Sequence, residues 1–133
     1  MPIAERVRLD PFEQVDGTPF STSTDDLLRR RGTPWRRERN GVGLDELDYG
    51  DVVYRFQDSG RLEEITVQAH VLDIGNVAVP FASLAAFVRG HDPEAFERAG
   101  FLVSPALGLA FDPAQPCWVT FLARHCLPEW KAL

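Results

Sequence analysis

The sequence predicts an α+β fold, a single domain built on an antiparallel β-sheet with two or three short helices packed on it. Three observations carry this prediction. Apolar and polar residues alternate with a period near two from Tyr49 to Val71, the pattern of half-buried strands. Helix-start signals stand before residues 25, 81 and 93. Strand-like and helix-like stretches do not alternate regularly, as a doubly wound parallel sheet would require.

In chain order, residues 1–20 hold Pro2, Pro11, Gly17 and Pro19 around Val7, Leu9 and Phe12, which suits an extended arm able to add a strand to a sheet. A short helix follows. Ser21 to Thr24 supply cap hydroxyls, Asp25 and Asp26 lie in the first turn, Arg29, Arg30 and Arg31 in the last, and Gly32 stands just beyond. Pro34 blocks continuation, and Trp35 is expected to lie across the helix it leaves. Residues 36–48, with Asn40, Gly41 and Gly43, read as a loop or wide hairpin connection.

Val52, Tyr54 and Phe56 then share one strand face, Asp58-Ser59-Gly60 turns the chain, and Ile65, Val67, Ala69 and Val71 alternate with Thr66, Gln68 and His70. This is a β-hairpin. Gly75-Asn76 offers a second tight turn into Val77 and Val79, and Pro80 ends that strand and opens a helix with Leu84, Phe87 and Val88 as its apolar stripe. Asp92-Pro93-Glu94 reads as a further helix start, closed by Gly100. Phe101 to Val103, Leu107 to Phe111 and Cys117 to Ala123 are strands, the last two a hairpin with a proline-rich loop. Residues 124–133 form a tail from which Trp130 docks on the body.

The 133 residues carry 14 Lys+Arg against 20 Asp+Glu, a net charge of −6, and are 44% hydrophobic. A chain of this length buries roughly 65–70% of its unfolded surface, enough for one core without disulfides or a structural metal. Disorder and collagen-like classes are excluded. No apolar run reaches the ~18 residues of a membrane span. The first ten residues mix charge with aliphatics and show no secretory signal, so a cytoplasmic address is expected. Cys117 and Cys126 belong to no C-x-x-C pair and read as reduced, ordinary thiols.

Charge is unevenly spread. Arg29, Arg30, Arg31, Arg36, Arg37 and Arg39 precede Asp45, Glu46, Asp48 and Asp51, which predicts a basic edge beside an acidic one. Trp35 sits among these arginines, and Trp and Arg are enriched at binding hot spots. Trp35, Arg36, Arg37, Arg39, Asp45, Glu46, Asp48 and Asp51 are therefore the candidate partner-binding residues. Nucleic acid is disfavoured as the partner because the domain is acidic.

Catalytic signatures are sparse. Three histidines, His70, His91 and His125, bound the acid–base and metal chemistry. His91 beside Asp92 is the one candidate proton-transfer pair. Cys117, His125 and Cys126 match no tetrahedral zinc spacing, so no metal is expected. Gly41-Val42-Gly43 lacks the rest of a dinucleotide fingerprint, and no Gly-x-Ser-x-Gly or calcium loop is present. No cofactor is expected.

The run Phe20-x-x-Ser23-x-x-x-Leu27-Leu28, Gly32-x-Pro34 and then Tyr54-x-Phe56-x-x-x-Gly60-x-Leu62 resembles a pattern in small bacterial proteins. It is similar to the opening of small outer-membrane assembly lipoproteins and to uncharacterised proteins that include immunity proteins of toxin–immunity pairs. The resemblance implies a small bacterial binding protein without catalysis. The functional expectation is thus a protein-binding module, of the kind that inhibits a basic toxin. Two alternatives stand beside it: a small hydrolase or transferase using His91 and Asp92 in a cleft, and a domain binding a small apolar ligand. An exposed sheet edge would also permit a homodimer.

Overall fold

A computed structural model describes residues 4–132. One long strand organises it. This strand, β7 (Leu62–Ile74), follows β1 (Ala4–Asp10), β2 (Gln14–Val15), β3 (Thr18–Pro19), helix α1 (Thr24–Arg31), β4 (Arg36–Arg39), β5 (Asp45–Asp48) and β6 (Val52–Phe56). After it come β8 (Val77–Pro80), helix α2 (Phe81–His91), β9 (Phe96–Arg98), β10 (Phe101–Ser104), β11 (Leu109–Phe111), β12 (Trp118–Leu122) and the short helix α3 (Leu127–Lys131). The first half of β7 pairs with β6 and β12, and its second half with β1 and β8. Buried positions change phase along it: Ile65, Val67 and Ala69 in the first half, Leu72 and Ile74 in the second. The strand therefore turns its core face as it passes between the two half-sheets.

The sheet is mostly antiparallel, but β1 pairs with β7 in parallel, Ala4 opposite Ala69 and Leu9 opposite Ile74. That parallel pair departs from the all-antiparallel expectation, and it is within residues 1–20, read as an arm able to add a strand, that the added strand lies. Val7 and Leu9 are buried against β7, so the segment is a structural strand of the core. Phe56, Phe111 and Phe121 are among the largest fully buried side chains, in one apolar cluster shared by Leu27 of α1 and Leu84 and Val88 of α2.

Helix α1 forms as its end signals predict. Ser23 accepts from the amide of Asp26 while Asp26 accepts from the amide of Ser23, a reciprocal capping box. The helix starts on the β6–β7 turn, where the Thr24 amide donates to the Gly60 carbonyl at 3.2 Å. The helix expected after Asp92 does not exist. Asp92 caps the end of α2, and one carboxylate oxygen accepts from the Glu94 amide at 2.9 Å to make an isolated turn. Phe96–Arg98 then folds back on β10 through Ala99 and Gly100, both at positive φ. Asp-Pro-Glu serves a turn as readily as a helix start, and strand pairing decides. Among the described residues no helix is long and apolar enough to cross a membrane.

Candidate functional site

The charged segment 36–48 is a regular hairpin. Its tip is closed by Asn40, whose side-chain oxygen accepts from the amides of Val42 and Leu44 at 3.0 and 2.9 Å. Among the described residues β4 pairs only with β5, and all four of its residues are exposed. Register sets opposite charges face to face at two positions, Arg36 opposite Asp48 and Arg39 opposite Asp45, while Arg37 faces Leu47 and Glu38 faces Glu46. The predicted separation into a basic and an acidic edge is thereby corrected, because the two signs interleave.

Nearly every charge there has a partner. Arg37 makes a two-pronged pair with Asp45 at 3.1 and 2.8 Å, Arg39 reaches Asp58 at 2.6 Å, and Arg36 reaches Glu38 at 2.8 Å. Glu46 turns to the outer face and accepts from Arg55 at 2.8 Å. Asp48 accepts from the Gly50 amide at 2.7 Å, and Asp51 from Arg31 at 3.2 Å. The eight predicted residues are thus neighbours along one hairpin but do not share one face. Trp35, Arg36, Arg37, Arg39 and Asp45 stay with β4 and its tip-proximal partner, whereas Glu46 joins an outer ladder, Asp48 caps the turn after β5 and Asp51 stands at the mouth of a cavity.

Trp35 does not lie across α1. Tyr49 holds that position: its hydroxyl donates to the Gly32 carbonyl at 2.8 Å, and Arg31 covers its ring at 4.6 Å. Tyr49 thereby braces the connection that displays Trp35, which is 76% exposed. Val42 at the hairpin tip is 81% exposed. Sequence reasoning missed Tyr49 and Val42, since only their surroundings distinguish a brace or an exposed apolar tip from core residues.

A cavity of about 460 Å³ opens beside the hairpin, between α1 and the junction of the half-sheets. Val7, Val15, Ile65 and Val67 form its apolar floor, and Arg30, Arg31 and Asp51 stand at its mouth. Arg30 donates to the Thr18 hydroxyl at 2.8 Å and Arg31 to the Tyr54 hydroxyl at 3.4 Å. On the outer face, Arg55 also donates to the Thr66 hydroxyl at 2.5 Å and lies 3.6 Å from Glu64. Burial raises Glu64 above the usual carboxylate range, against the pull of Arg55 and of the Trp130 indole.

The remaining titratable groups fall apart or pair locally. His91 stacks on Phe87 and its Nδ1 lies 2.9 Å from the Phe87 carbonyl, while Asp92 turns to Ser104 and Ala106. The two do not form a proton-transfer pair. Cys117 Sγ lies 3.6 Å from His70 Nδ1. Cys126 is buried with Glu63, and burial together with the charge of Glu63 pushes its thiol well up. Glu63, His125 and Cys126 converge within 4.8 Å, a grouping no sequence spacing announced.

No protein family, characterised protein or solved structure matches this chain.

Proposed function

We propose that this chain is a protein-binding module whose contact surface is Trp35 with the outer edge of β4, and whose partner is a basic protein, as for an immunity-type inhibitor of a toxin. One observation carries the reading: Trp35 is 76% exposed on a braced connection beside a strand edge. Restraining the backbone that carries Trp35 removes part of the ordering cost of association, and Trp anchors supply a large share of binding energy. Among the described residues β4 pairs with one strand only, so its other edge offers backbone groups to an added strand. The net charge of −6 favours long-range encounter with a basic partner, and at the contact itself Arg36, Arg37 and Arg39 are already neutralised by Glu38, Asp45 and Asp58. The ion pairs of the hairpin fix its shape, leaving affinity to Trp35.

The test is parallel capture from native lysate with wild type and Trp35→Ala, each first shown to be equally folded by circular dichroism. A basic protein held in stoichiometric amount by wild type and lost with Trp35→Ala supports the reading. Equal retention by both, or self-association as the sole Trp35-dependent event, overturns it.

A second reading rests on the cavity. Its apolar floor and the Arg30 and Arg31 mouth suit a small carboxylate with an apolar body. Thermal shifts against a set of aliphatic and aromatic carboxylates, read beside Arg30→Ala, test it. No shift with any of them removes it.

A further inference from the structure

We propose that Glu63, His125 and Cys126 form a zinc site with one open coordination position. The site begins with an irregularity in pairing. Phe56 faces Leu62 and Arg55 faces Glu64, so Glu63 is the extra residue of a β-bulge on β7. Bulges re-aim side chains. At this one the Glu63 carboxylate is buried, only 2% exposed.

The C-terminal segment brings the other two donors. Beyond β12 the Ala123 amide donates to the Glu63 carbonyl at 2.9 Å, and residues Arg124–Cys126 wind into a single 3-10 turn. That turn sets His125 and Cys126 against the bulge. His125 Nε2 contacts Glu63 Oε2, Cys126 Sγ lies 3.5 Å from the same oxygen, and all three donors lie within 4.8 Å of one another. Zinc bonds of ~2.3 Å to sulfur and ~2.1 Å to oxygen in a tetrahedron separate those two atoms by ~3.6 Å. The sulfur–oxygen spacing is already there. The His125 ring, 36% exposed, faces solvent and so can draw back to the ~3.4 Å that zinc would set between its nitrogen and the Glu63 oxygen.

Donor chemistry selects the ion. One thiolate, one imidazole and one carboxylate suit zinc and disfavour magnesium or calcium, which take oxygen ligands. Zinc displaces the thiol proton of Cys126 to solvent as the Zn–S bond forms, and the two anionic ligands then balance the charge of the ion. Arg61 donates to the other oxygen of Glu63 at 3.2 Å. It thereby fixes the carboxylate with Oε2 toward the site, as outer partners of metal ligands do. Glu63 and Cys126 are buried while His125 is exposed, so the fourth position opens on the His125 side, to water or an exchangeable ligand.

The experiment titrates chelator-treated protein with Co²⁺ and then displaces it with Zn²⁺. Expected is one equivalent of Co²⁺ with a thiolate charge-transfer band and the visible bands of a tetrahedral ion, all removed by Zn²⁺. His125 is at the surface, so His125→Ala keeps the fold and is the decisive variant, with affinity at least ~10-fold weaker. Cys126→Ser loses the charge-transfer band, and Cys117→Ser retains it. Absence of saturable binding, unchanged affinity in His125→Ala, or a band that follows Cys117 instead of Cys126 overturns the proposal.

Discussion

The Ser104 hydroxyl donates to the Asp92 carboxylate at 2.7 Å across 12 positions, inside the protein. Both residues are buried, at 0% and 2% exposure. The same carboxylate oxygen accepts from the Ala106 amide at 3.0 Å, and its companion accepts from Glu94. One side chain therefore ties the end of α2 to the start of the β10–β11 turn. An acid placed beside a histidine in sequence serves the backbone in space.

Asp92 predicts a specific acid sensitivity. Burial alone would raise its pKa, but hydrogen bonds from Ser104, Ala106 and Glu94 outweigh burial and hold it below its ordinary value. A depressed folded pKa contributes stability that is present above the unfolded pKa of about 4 and is lost as pH falls through the folded value. Asp92→Asn should lower stability by about 1–3 kcal/mol at neutral pH, and the gap from wild type should narrow below about pH 4. Urea unfolding across that range measures it, and a gap independent of pH would contradict the assignment.

Gly108 predicts a steric cost of another kind. It has a φ of +66°, and a Cβ built there would stand 2.8 Å from Cε1 of Phe12. The Phe12 ring also carries Arg124 at 4.0 Å, so it cannot withdraw without losing that contact. Gly108→Ala should cost about 1–3 kcal/mol through strain and overlap. Gly41, with open space around it, is the control, and Gly41→Ala should stay within about 0.5 kcal/mol. Denaturant midpoints at constant slope report both.

These positions show how far local sequence reaches. The ends of α1 were legible because Ser23 and Asp26 complete their cap within four residues, and the β6–β7 hairpin because alternation is itself local. β1 was not, since its partner strand lies some 65 positions away and Pro2 and Pro11 suggested an arm. Asp92-Pro93-Glu94 has the same local grammar in a helix start and in an isolated turn, and Ser104 and Ala106 decide between them. Of the candidate site, Trp35 and the charged residues were legible by type. Their ion pairing depends on cross-strand register, which a run of charges does not encode. Glu63 was hidden because the two residues that give its buried carboxylate a role, His125 and Cys126, lie 62 and 63 positions away in sequence.

The β4–β5 hairpin should owe little stability to its charges. Arg37 and Asp45 pair at 2.8 Å with side chains 48% and 22% exposed. Solvent screens such pairs, and holding two long side chains costs entropy, so a coupling of about 0.2–1 kcal/mol is expected. A double-mutant cycle of Arg37→Ala and Asp45→Ala in urea unfolding measures it, and added salt should shrink it. Coupling of several kcal/mol would mean that the hairpin is held by this pair more than by Leu47, which is fully buried beneath it.

Trp130 should hold the C-terminal helix by two separable contacts. Its ring meets Phe101 edge to face at 5.6 Å, and its indole donates to Glu64 Oε2 at 3.2 Å. Trp130→Phe keeps an aromatic surface and removes the donor, which should cost about 1–2 kcal/mol because Glu64 retains Arg55. Trp130→Ala removes both and should cost about 2–4 kcal/mol, below the range for a fully buried tryptophan because Trp130 is partly exposed. Amide exchange over residues 127–132 should quicken in the same order, since undocked short helices fray. Equal losses in the two variants would place the whole effect on the hydrogen bond. A loss only in Trp130→Ala would place it on Phe101, and either pattern would refute two independent contacts.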